Sequence, residues 1–515
     1  MVPPPLGSSV PPPPPPRGTA AFLPPPPYLP PPPVAPETAA SASSPRPARL
    51  LALVALITVV ALVGIGGLVF SRGGGPAGPS HPEVWDPRVT ELVAFVERER
   101  GLTFEHPVYI DFLPPEDIAR DLRAEVGSVT GEMREYAALQ ASELRALGLV
   151  SGDVDLLASA GSLSAEGVVA FYDPVAERIT APDVELDARQ RSILVHELTH
   201  VLQDQHFQLD VLQQQAAAPD TLRALAEGDA GRIEARYLAS LPAEEQAAVQ
   251  ARNDADYESY RDAIAQIPPA LDAFQAAPYV LGAGMVNTLV DLGGQQAIDA
   301  TFVHPPVSDE ALIDPSHYRG NGTVVPVSRP TVVAGETVLD EGSLGPLMLY
   351  LMLANSTDVA TAINGAYGWG GDAYVMVRNG DQTCMRISYQ GDTGDDLREL
   401  HDALTRWAVA APGVRREVAL VGAQLQIVAC DPGTAVEIPL SGNPTDALLV
   451  PRTVMELALQ LHAGGMAYTE ARCVGVAFVS QYPLAELVAE LRTPVLAPEQ
   501  QAIRDARMAA ASQQC

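Results

Sequence analysis

Lysine is absent from all 515 residues, so the 32 basic side chains are arginines, set against 63 aspartates and glutamates for a formal net charge of −31. Such a chain has no basic patch with which to neutralise phosphates, and nucleic acid is excluded as a partner. Cysteine is scarce. The four present, Cys384, Cys430, Cys473 and Cys515, show no CxxC spacing, which leaves thiolate metal sites and dithiol redox motifs unsupported. They suit an oxidising compartment and two disulfides, and of the three pairings Cys384–Cys430 with Cys473–Cys515 is the expected one. A dinucleotide loop is missing as well. Gly368-Trp-Gly-Gly-Asp372 lacks both the spacing and the strand–loop–helix setting, and reads as a turn entering a strand over Ala373 to Val377.

What the chain has in excess is proline, concentrated at the start. Residues 1–45 carry the runs Pro11 to Pro16, Pro24 to Pro27 and Pro30 to Pro33, which cannot build a core and predict an extended, disordered tail. A solvated spacer is one reading of it, and a docking peptide for a proline-binding cytoplasmic partner is the other. Next, Leu50 to Phe70 is a run of 21 residues without a charge, enough to cross a bilayer as one helix within residues 46–72. Arg17, Arg46 and Arg49 precede the run and Arg72 follows it, so the positive-inside tendency places the tail in the cytoplasm and everything after the span outside. Residues 73–88 are a linker. Beyond it, 47% apolar and 18% charged residues overall fit a globular protein with substantial cores.

The chemistry is concentrated in Arg191-Ser-Ile-Leu-Val-His-Glu-Leu-Thr-His-Val-Leu-Gln-Asp-Gln-His206. On a helix, His196 and His200 stand one above the other and can share one metal ion, while Glu197 lies about 100° around, facing the metal's open position. Zinc accepts neutral imidazole nitrogens, and a nearby carboxylate not bound to it serves as general base. The flanking Ile193, Leu194, Val195, Leu198, Val201 and Leu202 predict a buried helix, where two histidines and a glutamate are costly without a metal. Its N-cap is expected at Asp183 or Asp187. A third ligand is required. His206 has the HExxHxxGxxH spacing, but Gln203 replaces the glycine that would let the chain leave the helix, so the helix should run on and carry His206 away. Glu227, on a following helix capped by Asp220 or Thr221, would complete a His₂Glu set of the thermolysin type. Ala226, Gly228 and Ala230 would allow that helix close to the first. Glu234 and Asp229 are the remaining alternatives.

Around this motif the pattern predicts an α+β protein. Helices are expected over Val89 to Arg100, Pro114 to Val126 and Gly131 to Leu147, and strands over Val108 to Phe112, Gly167 to Tyr172 and Arg178 to Ala181. The last two form a hairpin turning at Asp173-Pro174, next to the HExxH helix, where an extended peptide could add as a further strand. Further on, helices over Leu344 to Ala354 and from Ser356 precede strands near Tyr374 and Met385. A strand from Glu417 to Ala429, a helix over Thr453 to His462, a strand from Cys473 to Ser480 and a helix from Pro498 complete the reading. The expected organisation is a catalytic domain over 89–325, an α+β part continuing it over 326–412, and a C-terminal α+β domain over 413–515. Tyr237, His317 and Tyr318 are candidate donors to a developing oxyanion. Asp392, Asp395 and Asp396 read as a helix N-terminus, with calcium binding as the alternative.

Several stretches together resemble a group of membrane-attached bacterial and archaeal HExxH proteins of the zincin-like, gluzincin type. They are Gly167-Val-Val-Ala-Phe-Tyr-Asp173, His196 to Phe207, Ala224-Leu-Ala-Glu-Gly-Asp-Ala230, Pro278-Tyr-Val-Leu-Gly282, His304 to Tyr318 and Gly368 to Tyr374, covering roughly residues 90–410. The resemblance implies a zincin-like fold with His196, His200 and Glu227 as zinc ligands and Glu197 as base, and supplies no substrate. The expectation is therefore a membrane-anchored zinc metallopeptidase acting on peptides or proteins outside the cytoplasm. A surface binding protein that keeps the fold and a zinc amidase of the cell envelope are the alternatives.

Overall fold

The computed structural model describes residues 80–515 apart from 119, 121–128, 160–169, 264, 266, 319–323, 439, 441, 494 and 495. The predicted Pro-rich tail and membrane span lie outside the described residues, as does most of the helix predicted over Pro114 to Val126. Among the described residues no single helix is long and apolar enough to cross a membrane. The architecture is mixed α+β with two sheets.

The first part opens with α1 (Thr90–Arg100), stopped by Gly101 at φ 78°, a conformation that glycine adopts without a Cβ clash. Strand β1 (Tyr109–Leu113) follows, then α2 (Gly131–Leu147), whose N-cap Thr130 accepts from the Met133 amide. Strands β2 (Phe171–Asp173) and β3 (Arg178–Pro182) form the expected hairpin, and β1 pairs in parallel with β3, giving the order β1-β3-β2. Asp173 accepts from the Val175 and Ala176 amides and so shapes the turn. After the sheet come α3 (Ala188–Phe207), α4 (Leu209–Gln215), α5 (Pro219–Ser240), α6 (Ala243–Ala263) and α7 (Pro269–Gly293).

Helix α3 is buried along one broad face. Leu194, Val195, Leu198, Val201 and Leu202 share one core with Val89, Leu92, Val93 and Val96 beside α1, Ile179 and Ala181 on β3, and Ile233 and Tyr237 on α5. The helix is therefore a rigid mount for its polar residues. Behind α5 stands α7, at backbone contact: a Cβ on Gly228 would lie 2.3 Å from the Gly282 carbonyl oxygen, and one on Gly282 equally close to that of Ala224. This corrects the expected role of Gly228, which lets α5 meet α7 rather than α3. Ala226 does face α3, its carbonyl accepting from Gln203.

The second sheet is antiparallel, in the order β4 (Thr337–Gly342), β5 (Trp369–Asn379), β6 (Gln382–Gly391), β8 (Gln424–Cys430), β7 (Arg416–Val421). It crosses the predicted boundary at 412/413, because β8 pairs with β6. The single strand expected from Glu417 to Ala429 is a hairpin turning at Gly422, φ 65°. Gly370 and Gly371 lie inside β5 rather than in a turn, at a register irregularity where a Cβ on Gly371 would meet the Val325 carbonyl. The strand expected at Cys473 to Ser480 is the helix Tyr468–Val479. Its buried Tyr468, Ala471, Val474, Gly475, Phe478 and Val479 recur at helical spacing, which a short apolar run hides. Both expected disulfides are present, Cys384–Cys430 across β6 and β8 and Cys473–Cys515 at the chain end.

Candidate metal centre

The centre begins with where α3 starts. Asp187, the second of the two expected caps, accepts from the Gln190 amide and sets the register that points His196 and His200 the same way. Their rings stand 4.8 Å apart, edge to face. Glu227 reaches them from α5, its Oε2 lying 3.2 Å from Nε2 of His196 and 3.5 Å from Nε2 of His200. In a tetrahedral zinc site with bonds of about 2.0–2.1 Å, neighbouring ligand atoms sit roughly 3.3–3.4 Å apart, so the spacing fits. Helix α5 starts two or three residues earlier than expected, with Ala218 as N-cap and Pro219 in the first turn, and neither Asp220 nor Thr221 caps it.

The outer partners make the stronger argument. His196 Nδ1 faces Glu234 Oε2 at 3.3 Å, and His200 Nδ1 faces Gln203 Oε1 at 3.0 Å. Each oxygen is placed to accept the Nδ1 proton, so that Nε2 is the nitrogen a metal would take once its proton is displaced. Both acceptors are themselves held. Glu234 takes a hydrogen bond from Ser192, while the Gln203 amide donates to Ala226 O and to Asp229. Asp229 is fully buried and locked by Arg100 at 2.6 Å, so of the alternative third ligands Glu234 and Asp229 serve as supports. His206 is exposed on the last turn of α3 and meets the Thr103 carbonyl, away from the other histidines, as the missing glycine predicted.

The electrostatics follow from burying these groups together. Burial opposes charge on His196, but Glu227 and Glu234 outweigh it and hold the imidazole well above its ordinary range. For Glu227, burial pushes the carboxyl up, and hydrogen bonds from the two histidines outweigh that and hold it well below the usual carboxylate value. Glu197 is buried and raised, chiefly by burial, with His196 and His200 pulling the other way and the Tyr172 amide donating to it. A carboxylate so tuned is better matched to accepting a proton near neutral pH.

Of the donors expected opposite the metal, one is committed to another acceptor. The Tyr237 hydroxyl accepts from Arg191 at 2.9 Å, the Tyr318 hydroxyl donates to the His304 carbonyl, and the side chain of His317 lies outside the described residues. Instead Arg223, one turn before Glu227, has Nε 3.8 Å from Glu227 Oε1 and donates to the Tyr279 hydroxyl at 3.1 Å. Tyr279 is about half exposed, and its phenol keeps its proton at neutral pH. The signal for it was Pro278-Tyr279 inside a helix sequence, which reveals a position but no neighbour 52 residues earlier. Asp395 and Asp396 begin the helix Gly394–Val409 through a Thr393 capping box.

Residues 332–443 match a domain of unknown function (DUF8575). That stretch holds the second sheet and none of the residues of the metal centre. No curated protein and no solved structure matches the chain.

Proposed function

We propose that this chain is a zinc metallopeptidase of the thermolysin-like, zincin-fold class, anchored by the Leu50 to Phe70 segment with its folded part outside the cytoplasm. The observation that carries the reading is the pair of outer acceptors, Glu234 and Gln203, each facing one histidine on Nδ1 so that both Nε2 atoms converge with Glu227. His196, His200 and Glu227 would hold the ion. Zinc, when bound, supplies a Lewis acid and lowers the pKa of a coordinated water to roughly 7. Glu197, steadied by the Tyr172 amide, accepts the proton of the attacking water and delivers it to the departing amine. Arg223 and Tyr279 offer protonated donors on the side of Glu227, suited to the negative charge that develops on the substrate oxygen.

Peptide substrates are favoured over other amides by β2. Its one strand partner among the described residues is β3, and its Tyr172 touches Glu197, so an extended backbone laid along β2 would bring a carbonyl to the centre. The test is cleavage of an unbiased peptide library and of cell-wall fragments by the wild type and by Glu197→Gln. Peptide cleavage lost in the variant supports the assignment. Cleavage of wall fragments alone would make it an envelope amidase, and zinc binding without either activity would make it a binding protein.

A further inference from the structure

Apart from the centre just described, one other group of described residues brings cation-binding atoms together: His81, His106 and Glu177. They come from three separate places, the segment entering α1, the connection between α1 and β1, and the turn between β2 and β3. Nδ1 of His81 and Nε2 of His106 each lie 3.5 Å from the same oxygen, Glu177 Oε2. That spacing again approximates the edge of a tetrahedron around zinc, roughly 3.3–3.4 Å. The two rings face each other with centroids 3.7 Å apart. Two imidazolium ions at that separation would repel, so a plain ion pair with both histidines charged is a poor account of the cluster.

Two further observations, at Glu177 Oε2 and at His106 Nδ1, point to a ligand. Glu177 Oε2 is closed to solvent and receives no hydrogen bond, a costly state for a carboxylate oxygen unless a cation meets it. Glu177 also holds φ 50°, at a turn where glycine would carry no strain. His106 Nδ1 faces the Pro107 carbonyl at 3.2 Å, which takes its proton and leaves the Nε2 lone pair towards Glu177. The Gln205 amide lies 3.3 Å from that same Nδ1, but its shorter contact, 2.9 Å, is to the His106 carbonyl.

We propose that His81, His106 and Glu177 bind a second divalent cation of the zinc class, which fastens the chain entering α1 to the β2–β3 hairpin. All three side chains retain some exposure, so the site can exchange its ion with solvent. The hairpin is worth fastening because β2 carries Tyr172, whose amide meets Glu197 and whose hydroxyl donates to Asp204 on α3 at 2.8 Å.

The test is zinc titration of the chelator-stripped full-length chain, read as stoichiometry and dissociation constants. The wild type should bind two zinc ions, His200→Ala should lose one, and Glu177→Gln should lose the other. Loss of one of three ligands should exceed the roughly 10–100-fold weakening that follows removal of an outer partner. Glu177→Gly guards against misfolding, since it relieves the backbone strain and should melt no lower than wild type in chelator, yet should still lack the second zinc. A zinc count that is the same in the wild type and in the Glu177→Gly chain overturns the proposal.

Discussion

At the scale of single residues, the account rests on groups that touch the ligands rather than on the ligands alone. Gln203 replaces the glycine of the longer motif, and its amide group bridges His200 to Asp229 and the α5 backbone. Gln203→Ala and Glu234→Ala should therefore each weaken zinc binding by roughly 10–100-fold without abolishing it, measured by competition with a chelator dye. Glu197 gives a pH prediction. Burial raises its carboxyl, and once protonated it can no longer accept a proton, so kcat/KM should fall on acidification. Glu143 gives another, on stability. It is buried with neither oxygen hydrogen-bonded, and burial, aided by the nearby Asp340, pushes it up to about 8. The folded state then holds a proton that the unfolded chain has released, so this contribution is fully present below about pH 4.5 and is lost as pH rises to about 8. Thermal melts of Glu143→Gln should show a smaller decline over that window than the wild type.

At the scale of elements, the position of Glu227 depends on how close α5 can come to α7. Gly228→Ala puts a methyl 2.3 Å from a backbone oxygen that cannot swing aside, so the helices must part. The expected cost is about 1–3 kcal/mol in a denaturant melt, with weaker zinc binding because Glu227 is the preceding residue. This is also the scale at which the sequence is most and least legible. His196, Glu197 and His200 are readable because four residues of helix impose their geometry, and Asp187 and the β2–β3 turn are readable because capping and turn chemistry are local. Glu234, Arg223 with Tyr279, and Arg100 with Asp229 join residues 38, 56 and 129 positions apart, and no local rule links them. The helix Tyr468–Val479 was misread because Cys473 to Ser480 is apolar in both periodicities, and only the partners it packs against decide.

Across the whole molecule, the second sheet runs on past the boundary expected at 412/413, since β6 pairs with β8. The disulfides close stretches of 46 and 42 residues, one inside the second sheet and one at the chain end. Each should contribute about 2–4 kcal/mol, so reduction should lower the melting temperature by several degrees and leave zinc content unchanged, because neither bridge touches the metal centre. The central claim is that two histidines of α3 and one glutamate of α5 form a single zinc site. Diffraction from zinc-loaded crystals on either side of the zinc absorption edge tests it most directly. The account predicts an anomalous peak bounded by His196 Nε2, His200 Nε2 and the Glu227 carboxylate. No peak at that point, or one held without Glu227, would contradict it.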